Sequence, residues 1–264
     1  AGPTTAGAGG ALGAGAAFAS AVPYIAGALA LFSAKDALFG RKLQDTSITG
    51  TLGGSAGFTG STEQFFKGGL FRSNKTTTEA LGADVTSPIA SAATAIRDQV
   101  QKYAVALGLP VEQIAGYTEA IKFSTKGLTA EQIQTKLQES LAGFGEKLAG
   151  TLNAELAPFA ASGEKAGDTL ARLATSIAGV NPVLQQLGLR VFDIATAGAA
   201  AASQLAQQFG GLEQFAQVSA SYYAAYYSQA ERAAAATQSI TDTLAEVGLA
   251  LPTTRDEFRK LVTA

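Results

Sequence analysis

From Pro88 to the end of the chain, apolar residues return every three or four positions. That period fits helices, whose turn holds 3.6 residues, and not strands, whose side chains alternate. Ile89, Ala93, Ile96, Val100, Tyr103 and Leu107 form the first stripe, which Gly108-Leu109-Pro110 ends. A short helix is expected next, from Val111 to about Phe123. Thr129 to Gln132 reads as a capping box, with Thr129 as N-cap and Gln132 reaching back to it. Behind it Ile133, Leu137, Leu141, Phe144 and Leu148 share one face. Pro158 and Gly163 mark a break, and Ser162 suits the N-cap of the following helix. That helix carries Leu170, Leu173 and Ile177, and Gly179 and Asn181-Pro182 are expected to end it. An alanine-rich helix follows from about Arg190 to Phe209. The turns "LGLP" (107–110), "LGLR" (187–190) and "VGLALP" (247–252) read as glycine C-caps between helices.

The last long helix is expected from about Leu212 to Val247. It holds "SYYAAYYSQAER", with four of the seven tyrosines of the chain. Leu212, Phe215, Ser219, Tyr222, Tyr226, Ile240 and Leu244 fall on a near-heptad seam, with Tyr223 and Tyr227 rotated about 100° from it. Four phenols then make a broad amphipathic patch. Two uses fit it: packing against the preceding alanine-rich helix, or anchoring another chain. Phe215, Tyr222, Tyr223, Tyr226, Tyr227, Ile240 and Leu244 are the candidate interface residues.

Two regions precede the helices. Residues 1–34 carry no charge, and 11–34 are long enough to span a bilayer as a helix, which takes about 20 residues. Leu12, Phe18, Val22, Pro23, Tyr24, Ile25, Leu29, Leu31 and Phe32 would be the residues of that membrane segment. A small-residue helix packed among copies of itself is the alternative. Residues 35–87 are rich in Gly, Thr, Ser and Phe, with Gly-Gly at 53–54 and 68–69, and two or three short strands are expected there. A lone hairpin is marginal in water, so this part is expected to lean on a partner or symmetry mate. The organisation read from the sequence is therefore 1–34, 35–87, 88–209 and 210–264.

The chain has no His, Cys, Trp or Met in 264 residues. Without His and Cys, the Ser-His-Asp and Cys-His forms of nucleophilic catalysis are excluded within it. No P-loop or dinucleotide fingerprint occurs, and Ser162-x-x-Lys165 lacks the companion motifs of serine acyl-enzymes. No enzyme activity, metal or cofactor is expected. A formal charge of −2 gives no basic footprint for nucleic acid. Charged residues make up 15%, against about 25% in typical soluble domains, so part of the surface is expected to be sheltered. With no Met, the chain is expected to be a processed product or a piece of a longer polypeptide.

Two stretches resemble the tail tape measure proteins of long-tailed bacteriophages and prophages. They are "LFGRKLQDTSITGTLGGSAGFTGSTEQFFKGGLFRSNKT" (38–76) and "FGGLEQFAQVSASYYAAYYSQAERAAAATQSITDTLAEVGLALPTTRDEFRKLV" (209–262). The resemblance implies a virion protein of the tail lumen and tail tip. It would be held there by tail tube, distal tail and baseplate hub proteins. On infection it would be released into the host envelope, helping genomic DNA to cross without sequence-specific binding. This chain lacks a long continuous coil, so it would be the C-terminal, tip-anchoring and membrane-active portion and not the ruler. The expected architecture is mainly α: an elongated assembly of amphipathic helices with a small Gly/Thr-rich β-hairpin region. Self-association in a symmetric bundle is expected, as a trimer or a hexamer. The alternative is a bacterial pore-forming or toxin-like helical protein, with the uncharged N-terminal segment as its membrane element.

Overall fold

The computed structural model of the chain describes residues 37–38, 41–69, 73–246 and 254. The described residues are mainly helical, with a small antiparallel sheet. It divides into two compact units. One takes the described residues through Thr175 with Ile194–Ala197; the other takes Ser176–Asp193 and the described residues from Gly198 on.

The first unit opens with strands β1 (Ala37–Leu38), β2 (Arg41–Gly53), β3 (Gly57–Lys67) and β4 (Lys75–Ala80). A fifth, β5 (Thr118–Ser124), arrives later in the chain. β2 lies between β3 on one side and β5 and β1 on the other, and β4 lies outside β3. The register pairs Ile48 with Thr62, Gly50 with Gly60 and Leu52 with Phe58. Side chains alternate across a strand, so these residues share one face, and Ile48, Leu52, Phe58 and Thr62 are all buried. The opposite face is polar, with Thr49 Oγ1 and Ser61 Oγ 3.1 Å apart and Lys122 bonded to Glu63 at 2.9 Å. The Phe58 ring covers the Gly50–Gly60 pair; a Cβ added to either glycine would lie within 2.5 Å of a ring carbon.

Helix α1 (Ala83–Ala106) packs on β2 and β3. The helix backbone comes close at Gly57, where an added Cβ would meet the Ala90 carbonyl oxygen at 2.6 Å. The strands are thus longer than expected, and helices of the same chain cover the hairpin. Glycines on the inner face hid the alternation that would have given its length. The expected stripe of α1 is buried at Ile89, Ala93, Ile96, Val100 and Leu107, while Ala104 takes the seat assigned to the half-buried Tyr103. The helix begins before Pro88, at Ala83.

Gly108, at φ 64, closes α1. The Leu109 N–H donates to Ala104 O at 2.9 Å and the Gly108 N–H to Val105 O at 3.0 Å, the two bonds of a Schellman cap. After α2 (Glu112–Ala115) the chain enters β5, where the sequence pattern predicts a helix to Phe123. Thr118–Ser124 alternates instead: Glu119, Ile121 and Phe123 turn inward, and Thr118, Ala120, Lys122 and Ser124 are exposed. Pairing with β2 over Ser47–Gly53 fixes it as a strand.

Helix α3 (Ala130–Gly150) has the expected capping box: the Gln132 N–H donates to Thr129 Oγ1, and the Thr129 N–H donates to Gln132 Oε1 at 2.8 Å. Its expected face, Ile133, Leu137, Leu141, Phe144 and Leu148, is buried. A short helix α4 (Asn153–Leu156) and a 3-10 turn (Ala157–Phe159) lead to α5 (Ala166–Gln186). Ser162 does not cap α5; it is exposed in the preceding turn. Glu164 secures that end, accepting from the Ala161 N–H at 2.8 Å, the Thr169 hydroxyl at 3.0 Å and Arg172 Nε at 2.7 Å. Gly179 and Pro182 do not end α5 either. Pro182 and Ala178 are both exposed, so the carbonyl freed by the missing N–H can reach water. Val180 and Leu184 extend the buried stripe of Leu170, Leu173 and Ile177.

In the second unit a second Schellman cap follows α5 at Gly188, with the Leu189 N–H on Leu184 O at 2.8 Å. Asn181 braces the return, donating to Phe192 O at 2.9 Å and accepting from the Phe192 N–H at 3.0 Å. Helix α6 (Thr196–Gln208) starts later than expected and buries Ala199, Ala202, Ser203 and Ala206. The Gly211 N–H on Ala206 O caps it at 2.8 Å, and α7 (Leu212–Tyr226) begins. The third turn, at 247–252, lies outside the described residues.

A tyrosine-lined cleft as the candidate functional site

The expected single helix from Leu212 to Val247 is two helices, α7 and α8 (Gln229–Glu246). Tyr227 is extended, at φ −96 and ψ 130, and Ser228 begins a capping box. The Glu231 N–H donates to Ser228 Oγ at 3.3 Å, and Glu231 Oε2 accepts from the Ser228 N–H at 2.8 Å and its hydroxyl at 2.7 Å. Those bonds, first from the Ser228 hydroxyl, hold the Glu231 carboxyl below the usual glutamate range. Ser228-Gln229-Ala230-Glu231 is the same signature as the one at Thr129, set inside an alanine- and tyrosine-rich run whose helical composition concealed the stop.

The break changes which tyrosines face inward. The buried line of α7 is Phe215, Ser219 and Tyr223, at i, i+4 and i+8. Tyr222 and Tyr226, placed on the seam by the heptad pattern, are 51% and 74% exposed. Tyr227 is half-buried, and its hydroxyl donates to Leu187 O at 2.6 Å, a carbonyl left over at the end of α5. Ile240 is 51% exposed and Leu244 half-buried on α8.

Tyr223 and Tyr227, with ring centres 4.7 Å apart, form one wall of a cleft of about 720 Å³. Pro182 and Ala234–Ala236 supply apolar lining, and Gln185, Gln186, Arg232 and Gln238 supply polar groups. The Tyr227 hydroxyl and the Glu231 carboxylate, which could move protons, are committed to helix-end bonds. What this arrangement offers a ligand is apolar area, from the two rings, Pro182 and the alanines.

A second aromatic surface lies on the outer side of α7. Val218, Tyr222 and Tyr226 are spaced i, i+4 and i+8, and all are exposed. The Tyr222 and Tyr226 rings are 4.8 Å apart, and Tyr222 also meets Tyr227 edge-on at 6.2 Å. The four rings therefore run continuously from surface to cleft. Between Ile194 and Ala230 the chain has a single charged residue, Glu213.

Leu12, Phe18, Val22, Pro23, Tyr24, Ile25, Leu29, Leu31 and Phe32 lie outside the described residues. Among the described residues no helix is long and apolar enough to cross a membrane, and no three metal-ligating side chains come together. No protein-family model, curated protein or solved structure matches the chain.

Proposed function

We propose that this is a structural protein that acts by binding other chains, and that its working surface is the outer face of α7. The observation that carries this is the exposed Val218–Tyr222–Tyr226 stripe in a nearly uncharged stretch. Tyrosines of this kind are enriched in interface cores, from which charged groups are depleted. Together with the resemblance of 38–76 and 209–262, this favours the C-terminal portion of a phage tail tape measure protein. In that role the chain sits at the tail tip in a symmetric, elongated assembly, held by tube and hub proteins, and is released into the host envelope on infection.

The test is mass spectrometry of particles purified from the native source on a density gradient. Peptides of this chain co-migrating with tail tube and hub proteins are expected. Recovery of the chain only as a free protein, away from any tail protein, refutes the assignment.

A further inference from the structure

Among the described residues, strand β4 is the last of the sheet. It pairs with β3 on one side, and among the described residues no strand pairs with its other side. Five of its six residues are exposed. The sequence Lys75-Thr-Thr-Thr-Glu-Ala80 contains no proline or glycine, and no register shift interrupts its pairing. An open edge of this kind is a template for a further strand.

The register determines which strand fits. The Leu81 N–H donates to Gly60 O at 3.1 Å, and Thr78 lies opposite Glu63 and Thr77 opposite Gln64. Hydrogen-bonding residues alternate along an antiparallel strand, so 75, 77, 79 and 81 bond inward to β3. The N–H and C=O groups of Thr76 and Thr78 then point out of the sheet. An antiparallel neighbour must set outward-bonding residues opposite each other. When the neighbour is β4 of another copy, a two-fold axis through Thr77 does this, placing Thr76 opposite Thr78 twice. Lys75 of each copy then lies opposite Glu79 of the other, on the same face. Two-fold axes through Thr76 or Thr78 also satisfy the bonding rule but leave both charges facing uncharged residues. The single register with complementary charge is therefore also self-complementary, as a two-fold interface requires.

We infer that β4 is a self-pairing edge, through which two copies of the chain join their sheets antiparallel about Thr77. This does not depend on the tyrosine face or on the tail assignment.

The chain has no cysteine, so one introduced at Thr77 reports the axis directly. In the full chain, Thr77→Cys should oxidise to a covalent dimer at least about tenfold faster than Thr51→Cys, an exposed strand control. Sedimentation of Lys75→Glu and Glu79→Lys should each show dimer dissociation constants raised at least about tenfold. The double variant, which exchanges the charges, should return to the wild-type value. The same pattern should persist with Tyr222→Ser and Tyr226→Ser present, which separates this contact from α7. Equal oxidation rates at 77 and 51, or a double variant no tighter than the singles, would overturn the inference.

Discussion

At Glu164 one carboxylate organises the start of α5. Arg172, the Ala161 N–H and the Thr169 hydroxyl bond it together, and the Arg172 bond contributes most to lowering its pKa to about 2. A depressed carboxylate stabilises the fold above its unfolded pKa and loses that contribution as pH falls toward the folded value. The window here runs from about 4.5 down to about 2. Glu164→Gln should cost about 2 kcal/mol at neutral pH, the scale of charge-assisted hydrogen bonds, and flatten the stability profile in that window. Denaturant titrations across pH check both. Glu146 has the opposite sign. Burial pushes its pKa up, Asp168 adds repulsion, and the Gly167 N–H and Lys165 oppose the shift. A raised carboxyl pKa means the ionised form burdens the fold at neutral pH. Glu146→Gln should therefore raise the melting temperature at pH 7, with the gain gone near about pH 4, where both states bind the proton.

At the level of elements, the junction between α7 and α8 rests on one serine. Ser228→Ala removes the N-cap and should cost about 1 kcal/mol, with faster amide exchange in the first turn of α8. Unchanged exchange there would show that packing alone holds the break. This junction also marks how far the sequence could be read. Thr129 was legible because Gly127 and polar residues precede its box. Ser228 carries the same signature, but the helix formers on both sides outweighed it. Glycine caps at Gly108 and Gly188 were legible, since only a positive φ there lets the following N–H turn back. Strand β5 was not, because seven residues with a strand period were outweighed by long helical stretches on both sides. Spacing alone marks the four tyrosines as a patch. Which of them faces inward depends on Phe215, Ser219 and Tyr223 lining up, which the heptad pattern continued through the break had obscured.

For the whole molecule, the two sides of α7 predict different losses. Tyr223→Ala empties a buried seat and should destabilise the chain by about 3 kcal/mol. Tyr222→Ser with Tyr226→Ser should change stability by less than about 0.5 kcal/mol each, since both rings are exposed. If α7 is the working face, that same pair should weaken its association by tenfold or more, about 1.4 kcal/mol. Sedimentation and thermal melts on one set of variants separate these effects. The most direct measurement places a photo-reactive side chain at Val218, on the exposed stripe, and another at Lys136, on the exposed side of α3, in particles assembled in the native host. Adducts from 218 to a tube protein, a hub protein or a second copy, with few from 136, are expected if the tyrosine face holds the chain in a tail. No adduct at 218, or equal yields at both positions, would contradict it.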